Sequence, residues 1–426
     1  MIANPRLFLT SLYEVAVQAA DPINRIKDLL PTPPLSGRVV VVGAGKGAAQ
    51  MARSLEELWD GPLSGVVVTP YGYECNTKRI DVISAAHPVP DRAGLEAAQR
   101  LKATVANLSS EDLVLALICG GGSALLPAPP PGFSLVDEIA LNEELLASGA
   151  PISAMNLVRK HFSTIKGGRL AALTKARVVS FVVSDIPGDD AALVSSGPTI
   201  PGLGIRRDAL EIIDRYRLKL PRRMLDFIGT DVADAPQPAD ATFASHSHHL
   251  VSSARISLEA AAEFARASGV RPVVLSDCLE GEARDVGRVH AAIAREIALY
   301  DSPFTKPCVL LSGGETTVTL SSRGGKGGRN GEFVLSLALA IDGLDVFALS
   351  ADTDGIDGSG NNAGAFADGR SVRRFVAHGI NGDAALAANN SYSAFSAVGD
   401  LFVVGPTGVN VNDFRSILGA LAAWRR

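Results

Sequence analysis

A run of small residues that could bind an anion follows the apolar segment 113–119. It consists of three glycines and a serine, Gly120, Gly121, Gly122 and Ser123. Glycine allows backbone conformations that other residues avoid, and such a turn can present N–H groups to a negatively charged ligand. A tight turn without a ligand would have the same composition, so the glycines alone leave both interpretations open. A second segment of this kind, with Gly313, Gly314 and Glu315, follows the apolar residues 308–311.

Two further glycine-rich segments carry cations. Lys46 lies in the sequence GAGKGAA, and Arg323, Lys326 and Arg329 share a segment with five glycines. Flexible backbone donors beside lysine and arginine suit a chain of phosphate groups. A helix predicted from 332 to 341 would begin there, and its N-terminus would favour an anion. For Lys46, a solvated lysine on a surface turn is the alternative.

Carboxylates also collect after a predicted strand at 178–183. The sequence SDIPGDD that follows it contains Ser184, Asp185 and Asp189. Carboxylates at the end of a parallel strand are placed to bind a hard cation or to act as a base. Asp185, Asp189 and Asp190 are therefore candidate metal ligands or bases, with an ordinary Asp/Gly turn as the alternative.

Two more loops of polar residues lie towards the C-terminus. Asp354 belongs to the sequence SADTDGIDG, after a strand predicted at 345–349. This sequence resembles a calcium loop, but Ile356 and Ala363 stand where that loop needs acidic ligands. Asn410 belongs to GPTGVNVND, after a strand predicted at 401–404. Both segments are therefore candidate ligand loops at strand ends, without a calcium site.

The segment around Lys46 also matches a dinucleotide fingerprint. Gly43, Gly45 and Ala48 fit the G-x-G-x-x-G/A pattern between a strand and a helix. That fold places an acidic residue at the end of the second strand, whereas the predicted strand 65–69 ends in Thr69-Pro70. The missing carboxylate weakens the prediction of a nicotinamide site.

The spacing of strands and helices predicts how these loops are arranged. Strands alternate with helices up to the Pro/Ala/Asp-rich residues 234–240, which are typical of a linker. We expect two α/β/α three-layer domains, a Rossmann-like one at 1–238 and a second one at 239–426. In doubly wound sheets the strand ends share one edge, so the loops are expected to line an active-site cleft between the domains.

Several other predictions concern individual elements. Residues 249–252 are expected to open the second domain as a strand, and residues 316–320 are expected to be extended. Residues 153–173 are predicted as a long helical region whose basic side faces either an anionic ligand or solvent. Its basic residues are Arg159, Lys160, His161, Lys166 and Arg169.

Composition excludes several classes of protein. A net charge of −5 gives no reason to expect a nucleic-acid partner. The four cysteines form no C-x-x-C pair, which argues against a zinc cluster or redox pair. No apolar run reaches bilayer length, and the N-terminus does not have the pattern of a signal peptide. We expect a cytoplasmic protein without a membrane partner.

The candidate residues together fit phosphoryl transfer. Cations, backbone donors and carboxylates able to hold Mg2+ are the groups that this reaction requires, because it depends mainly on positioning and charge neutralisation. The sequence contains neither a Ser-His-Asp elbow nor a Cys-His pair. The residues alone therefore predict a kinase-like enzyme.

Nine motifs, in order along nearly the whole chain, resemble the glycerate 2-kinase family with a C-terminal MOFRL domain. They are VVGAGKGAA, HPVPD, CGGGSALLP, SDIPGDD, SSGPT, LSGGETTV, GGRNGE, SADTDGIDG and GPTGVNVND. The MOFRL segment would span about residues 305–415 by this resemblance. The sequence departs from the family at Gly202, where an acidic residue is usual soon after SGPT-x-P.

The resemblance implies transfer of the γ-phosphoryl group of ATP, with Mg2+, to the 2-hydroxyl of D-glycerate. Lys46 and Arg329 would neutralise the substrate carboxylate and the transferring group, and Glu315 and Asp354 would orient groups in the cleft. The remaining candidates, Gly45, Gly120, Gly121, Gly122, Ser123, Ser184, Gly313, Gly314, Lys326 and Asn410, would bind substrate or nucleotide.

Two alternatives remain. The older family label, hydroxypyruvate reductase, would place NAD(P)H at Gly43, Gly45 and Ala48. A nucleotide sensor without catalytic activity is less compatible with the number of carboxylates. The sequence does not decide the oligomeric state, for which a homodimer is one candidate.

Overall fold

The computed structural model describes residues 4–186, 188–320 and 324–419. Within these ranges the chain forms twelve strands. They are β1 (Val39–Ala44), β2 (Ser64–Pro70), β3 (Ile80–Ala85), β4 (Leu113–Cys119), β5 (Arg177–Val183), β6 (Ser247–Ser252), β7 (Arg271–Ser276), β8 (Cys308–Ser312), β9 (Val346–Asp352), β10 (Gly364–Asp368), β11 (Leu401–Phe402) and β12 (Asp413–Gly419).

The same ranges contain sixteen α-helices. They are α1 (Pro5–Ala20), α2 (Pro22–Leu29), α3 (Ala48–Leu58), α4 (Arg92–Ala106), α5 (Gly122–Leu125), α6 (Leu135–Ala147), α7 (Ile152–His161), α8 (Arg169–Ala172), α9 (Arg206–Arg215), α10 (Arg222–Ile228), α11 (Ala254–Ala267), α12 (Ala283–Tyr300), α13 (Arg329–Ala340), α14 (Ser371–Ala377), α15 (Gly382–Ala387) and α16 (Ser391–Ala397). Among the described residues, no helix has both the length and the apolar character needed to cross a membrane.

The described chain divides into two compact units. The first unit contains residues 22–251, and the second contains residues 4–21 and 252–419. Each unit has one six-stranded sheet, with helices packed against it around apolar clusters. The predicted mixed α/β class with two sheets is confirmed.

The first sheet is doubly wound. Its strand order is β3-β2-β1-β4-β5-β6, and the pairs from β3 to β5 are all parallel. This is the order of the dinucleotide-binding fold, in which ligands bind beyond the carboxyl ends of the strands where the order reverses. Here the reversal lies between β1 and β4. The turns after these two strands are therefore the first place to look for a site.

Two elements belong to a different unit from the one that the sequence suggested. The strand expected to open the second domain is β6, at the edge of the first sheet beside β5, because Val251 packs in the same core cluster as Phe181. Residues 234–240 consequently lie inside the first unit. Helix α1 belongs to the second unit, where Leu12 packs in one apolar cluster with Leu258 of α11.

The second sheet is mixed, so the expectation of a second doubly wound edge was wrong. Its order is β11-β10-β9-β12-β8-β7, and only β7 and β8 form a parallel pair, while β12 runs antiparallel to both β8 and β9. Strands β10 and β12 were not predicted. The expected strand at 316–320 is absent from the described structure, where Thr317 makes only an isolated bridge to Glu282.

The antiparallel strand β12 still brings charged residues to the end of β9. Because β12 begins where β9 and β8 end, Asp413 is paired in register with Asp352, and Arg415 is paired with Ser312. A parallel strand in this place would have put the start of β12 at the opposite edge.

The packing of α1 can be tested with two leucines on the same helix. The side chain of Leu12 is fully buried, whereas Leu7 is 62% exposed. Leu12→Ala should lower the free energy of unfolding by about 2–5 kcal/mol, because it leaves a cavity among the residues of α11. Leu7→Ala should change it by less than about 0.5 kcal/mol. Urea unfolding measures both, and equal effects of the two substitutions would contradict the assignment of α1 to this core.

Candidate active site

The turn after β1 uses its own amides to hold the structure together. The N–H of Gly45 donates to Val68 O (3.1 Å), that of Lys46 to Gly120 O (2.9 Å) and that of Ala48 to Gly45 O (3.2 Å). The N–H of Gly47 bonds to the sulfur of Cys119. Gly45 has a φ of 130°, and a Cβ there would lie 2.3 Å from Cys119 O. These amides therefore do not form a pyrophosphate cradle, although ligand contact by Gly45 stays a prediction.

The glycine turn after β4 differs from the turn after β1 in how its amides are used. Within the described chain, the N–H groups of Gly120, Gly121, Gly122 and Ser123 donate to no acceptor. Gly121 has a φ of 82°, in the left-handed region. Four consecutive unused donors at the reversal point of the sheet form a suitable site for an anion.

Lys46 and His87 flank this glycine turn. A Cβ at Gly121 would lie 3.1 Å from His87 Nε2 and 3.3 Å from Lys46 Cγ. The Lys46 ammonium has no ion-pair or hydrogen-bond partner in the part of the chain that the structure describes. Partial desolvation and the charge of Lys46 lower the pKa of His87 below its ordinary value. A cation and a neutral imidazole thus lie beside the unused amides.

Two neighbouring serines, Ser195 and Ser196, bond to the end of β4 and to the glycine turn. Ser195 and Ser196 both have positive φ, 53° and 60°, a conformation that costs a non-glycine residue energy. Ser195 Oγ donates to Cys119 O (2.5 Å), and Ser196 Oγ is 2.8 Å from Ser123 Oγ and donates to Asn156 Oδ1 (2.9 Å). The sequence motif SSGPT was noted for its resemblance, but these serines and Asn156 were not assigned to the site.

The acidic loop after β5 also reaches this turn. A Cβ at Gly120 would lie 1.8 Å from Asp185 Oδ2, so the carboxylate lies directly against this glycine. Ser184 is buried and its hydroxyl bonds to Ile186 within the loop. Asp189 is half-buried with a φ of 54°. The structure brings Asp185 to the glycine turn, while the roles of all three residues stay predictions.

The acidic loop does not form a complete metal site by itself. In residues 4–186, 188–320 and 324–419, no group of three or more His, Cys, Asp and Glu side chains is arranged to hold a metal ion. Magnesium bound with a nucleotide takes only one or two protein carboxylates, with phosphate and water oxygens completing its shell. Asp185 and Asp189 supply that type of ligand.

In the second unit, Arg329 is surrounded by three carboxylates. Its Nε bonds to Asp413 (2.7 Å), its Nη1 to Glu315 (2.7 Å) and its Nη2 to Asp352 (2.5 Å). Asp413 and Asp352 are buried, whereas the Glu315 side chain is 56% exposed. Of the three partners, Glu315 is therefore the one that an incoming anion could most easily replace.

Asp413 is fixed by a second, fully buried arginine. Arg415 Nη2 bonds to Asp413 Oδ2 (2.5 Å), and Arg415 Nη1 donates to Gly313 O (3.1 Å). Asn330 Nδ2 donates to Asp413 Oδ1 (2.7 Å). The carboxylate thus connects Arg415 to Arg329. The motifs SADTDGIDG and GPTGVNVND contain Asp352 and Asp413, but the sequence offered no reason to assign these two residues to the site, and Arg415 was missed because β12 was not predicted.

Charges in this cluster shift the pKa of several groups. Burial raises the pKa of Asp352 to about 8, with Asp354 and Asp413 adding to the rise and Arg329 opposing it. Burial alone would lower the pKa of Arg329, but Asp413 and Asp352 outweigh it and raise that pKa. Arg329 therefore remains charged.

The N-terminus of α13 is already occupied by a carboxylate. Asp357 accepts from the N–H groups of Asn330 (2.9 Å) and Gly331 (2.8 Å). Burial raises the pKa of Asp357 to about 6, and these two amides oppose the rise. The expectation that this N-terminus favours an anionic ligand was therefore wrong, because an internal carboxylate fills it.

The remaining predicted residues of the second unit lie in structured loops. Gly313 N–H donates to Ser276 O (2.8 Å), and Gly314 has a φ of 107° where a Cβ would lie 2.2 Å from Leu279 N. Lys326 Nζ lies 3.7 Å from the centre of the Tyr392 ring. Arg323 lies outside the described residues.

Asp354 and Asn410 lie in loops that are bonded to one another. Thr407 N–H donates to Asp354 O (3.0 Å), and Val411 N–H donates to Thr353 Oγ1 (2.9 Å). Asn410 is exposed and its Oδ1 accepts from Asn412 N–H (3.1 Å). Their binding roles stay predictions.

The basic residues of 153–173 do not form the solvated helix face that the sequence offered as one alternative. The region is broken into α7 and α8, and its basic side chains bond inside the first unit. Buried Lys160 donates to the carbonyls of Gly202, Leu203 and Gly204 (2.8, 2.7 and 2.9 Å), and burial lowers its pKa to about 8. Buried Lys166 pairs with Glu138 (2.5 Å). These cations fix loops through bonds to backbone carbonyls and to Glu138.

Comparison with known proteins places the chain in a family. Residues 8–229 match the domain of unknown function DUF4147, and residues 308–413 match the MOFRL family. A protein of Pyrococcus horikoshii named glycerate 2-kinase is 38% identical over 395 residues, which cover 92% of this chain and 89% of that protein. The chain belongs to the glycerate 2-kinase family. The crystal structure of a glycerate kinase from Thermotoga maritima matches with a TM-score of 0.87 at 34% identity, over 97% of this chain and 99% of that one.

A relative with a different name belongs to the same comparison. A protein of Agrobacterium vitis, provisionally named hydroxypyruvate reductase, is 50% identical over 386 residues, which cover 90% of this chain and 99% of that protein. The family predicted from the nine motifs is thus confirmed, together with its older label. The cleft expected between two domains stays a prediction.

The raised pKa of Asp352 predicts how stability depends on pH. An aspartate in the unfolded chain titrates near 3.9, so folding favours the protonated form and stability falls as pH rises from about 4 to about 8. In Asp352→Asn this loss should disappear. The free energy of unfolding of the variant, relative to the wild type, should therefore rise between about pH 5 and pH 8.

Urea unfolding at a series of pH values measures this difference. The matched control is Asp342→Asn, an exposed aspartate of the same unit, whose difference from the wild type should not change with pH. Parallel curves for the wild type and Asp352→Asn would contradict the assignment.

Proposed function

We propose that the chain is a glycerate 2-kinase that transfers the γ-phosphoryl group of ATP, with Mg2+, to the 2-hydroxyl of D-glycerate. The proposal rests on one observation above all: within the described residues, the four N–H groups of 120–123 are unused and the neighbouring Lys46 ammonium has no partner. Membership of the family and the names of its relatives support the same conclusion. The product would be 2-phosphoglycerate.

The residues of the glycine turn would hold an anionic group by hydrogen bonds that exist before the ligand arrives. Donors that are fixed in advance lose little freedom on binding and stabilise developing charge without rearrangement. Whether they hold the phosphates of ATP or the carboxylate of glycerate is left open by the sequence. Lys46 would neutralise negative charge beside them, as the P-loop lysine does in other phosphoryl-transfer enzymes.

The acceptor of the hydroxyl proton has two candidates. Asp189 was assigned from the sequence as a base or metal ligand. His87 is a further candidate, because its lowered pKa keeps the ring neutral near pH 7 and its Nε2 faces the glycine turn. A neutral imidazole at that position can accept a proton from a bound hydroxyl.

Magnesium would be held by carboxylates of the acidic loop. Asp185 lies against Gly120, and with Asp189 it offers the hard oxygen ligands that Mg2+ prefers. When bound, the ion neutralises charge on the phosphate groups. The chain's own cations, Lys46 and Arg329, would contribute the remaining charge neutralisation.

Reduction of hydroxypyruvate is the competing function, given the older label of close relatives. The strand order of the first sheet is that of the dinucleotide fold. However, the amides of the fingerprint turn bond within the protein, and β2 ends in Pro70 without a carboxylate. Glu74, the nearest acidic residue, bonds to Ser84 (2.5 Å). These contacts favour the kinase.

One assay separates the three functions. Purified protein is incubated with D-glycerate, ATP and Mg2+ while ADP release is followed, and separately with hydroxypyruvate and NAD(P)H while absorbance is followed. ADP release that depends on glycerate supports the kinase. Oxidation of NAD(P)H alone would support the reductase, and a protein that binds ATP without either reaction would be a sensor.

The role of Lys46 gives a sharper prediction. Lys46→Met should lower kcat by at least about 100-fold, since it removes the free cation beside the reacting groups. Its stability should stay close to that of the wild type, because the ammonium makes no bond to any residue that the structure describes. Lys78→Met, at an exposed position of the same unit, is the matched control and should keep full activity. Near wild-type turnover in Lys46→Met would overturn the assignment.

Arg329 is expected to behave differently in the same assay. Its removal leaves Asp352 and Asp413 buried without their cation, which is destabilising. Loss of activity in Arg329→Ala therefore needs to be compared with loss of stability, whereas Lys46→Met does not carry this complication.

A further inference from the structure

The first unit contains a cavity whose wall includes a residue in contact with the glycine turn. Its volume is about 530 Å³, and Ser196 and Asn156 form part of its wall. Ser196 Oγ lies 2.8 Å from Ser123 Oγ, so one residue of the cavity wall is in direct contact with the turn. A ligand group bound at the turn and a larger group in the cavity could therefore belong to one molecule.

The wall of the cavity is largely apolar. Leu157, Ile212 and the ring of Tyr216 contribute to it, together with Leu203. Leu203 is 83% exposed, although contact between an apolar side chain and water is unfavourable. Sites for small organic ligands typically combine an apolar and aromatic wall with a few polar groups and occupy about 300–1,000 Å³.

The loop that carries Leu203 is fixed by a buried lysine, whose burial is energetically unfavourable by itself. Lys160 is only 5% exposed, and its three donors are all used on the carbonyls of Gly202, Leu203 and Gly204. Burying an ammonium group is unfavourable unless it is fully bonded. A buried lysine therefore fixes a loop whose leucine faces solvent. A ligand in the cavity would cover that leucine.

We propose that this cavity binds the nucleoside part of the nucleoside triphosphate whose phosphates lie on the turn 120–123. This inference rests on the proposed function. It also answers the question that the proposed function leaves open, because it assigns the turn 120–123 to the phosphates of the nucleotide and not to the carboxylate of glycerate. Glycerate is a three-carbon acid that is too small and too polar to cover the apolar wall. A base covers Tyr216 and Leu203 and removes their surface from water.

Polar groups at the cavity suit the sugar. Asp190 is part of its wall, and one of its carboxylate oxygens accepts from Ala192 N–H (3.0 Å). A carboxylate at this place is an acceptor for a ribose hydroxyl, the contact that acidic residues make in nucleotide-binding folds.

A substitution that fills the cavity tests the proposal. Ala154 lies on α7 in the cavity wall and is half-buried, so Ala154→Phe places a ring in the space without removing a core side chain. ATP and inorganic tripolyphosphate are each titrated into the protein by calorimetry in the presence of Mg2+. KM is measured for ATP and for D-glycerate. The matched control is Ala103→Phe, at an exposed position of α4 in the same unit.

In Ala154→Phe, the affinity for ATP should fall by at least tenfold and KM for ATP should rise in parallel. The affinity for tripolyphosphate and KM for glycerate should stay unchanged, because the turn itself is untouched. Tyr216→Phe should keep the affinity for ATP, since it retains the ring. The control Ala103→Phe should behave like the wild type in every measurement.

The other outcomes count against the cavity. Unchanged ATP binding in Ala154→Phe, an equal loss of tripolyphosphate binding, or a rise in KM for glycerate alone would each overturn the proposal. The result is separable from the proposed function. If the wild type binds ATP but does not phosphorylate glycerate, and Ala154→Phe loses ATP binding alone, the cavity is confirmed while the kinase assignment fails.

Discussion

The close approach of two turns, after β1 and after β4, determines the candidate site of the first unit. Gly45 lies so near the carbonyl of Cys119 that a side chain cannot be placed there, and Lys46 N–H bonds to Gly120 O. These contacts use the donors of the first turn and hold the backbone of the second turn in place. Among the described residues, the amides of 120–123 have no partner, since Lys46 N–H and Ser195 Oγ bond to the carbonyls of Gly120 and Cys119 instead. The turn after β1 thus uses its own amides to hold the turn after β4, and the amides of this second turn can then bind a ligand.

In the second unit the corresponding constraint is buried charge. Arg415 is completely buried, which would be very unfavourable without Asp413 and the carbonyl of Gly313 as partners. Asp413 then cannot turn away from Arg329, because its second oxygen is bonded to Arg415. Arg329 is held in one orientation by two buried carboxylates, and Glu315 accepts from its Nη1. An anion that displaces Glu315 would bind to a guanidinium that is already oriented, so the Arg329 side chain would lose little conformational freedom on binding.

The sequence predicted the first unit better than the second for a physical reason. The strands of a parallel sheet are buried on both faces and appear as continuous apolar runs, so β1, β2, β4 and β5 were found close to their observed bounds. Strand β12 contains Asp413, Arg415 and Ser416 within seven residues. All three are buried, and Asp413 and Arg415 pair with each other. No local pattern distinguishes such a strand from a polar loop.

The site was predicted in the same uneven way. Lys46 and the glycine turn follow from local sequence, because a strand end and its loop are contiguous. Ser196 contacts the turn from far along the chain and is itself bonded to Asn156, and a single sequence contains no information on which distant hydroxyl reaches Ser123. The burial of Lys160 and Lys166 could not be foreseen either, since a lysine on a helix is ordinarily solvated.

Two segments that look alike in the sequence therefore do different things. CGGGS and LSGGE both place glycines directly after an apolar strand. Beside β4 the neighbouring strands are parallel, and within the described residues the amides of its turn stay unused. Beside β8 the amide of Gly313 donates to Ser276 of the parallel neighbour β7, and its carbonyl accepts from Arg415 of the antiparallel β12. The groups that neighbouring strand ends offer, which the motif does not contain, decide whether a glycine turn is available to a ligand.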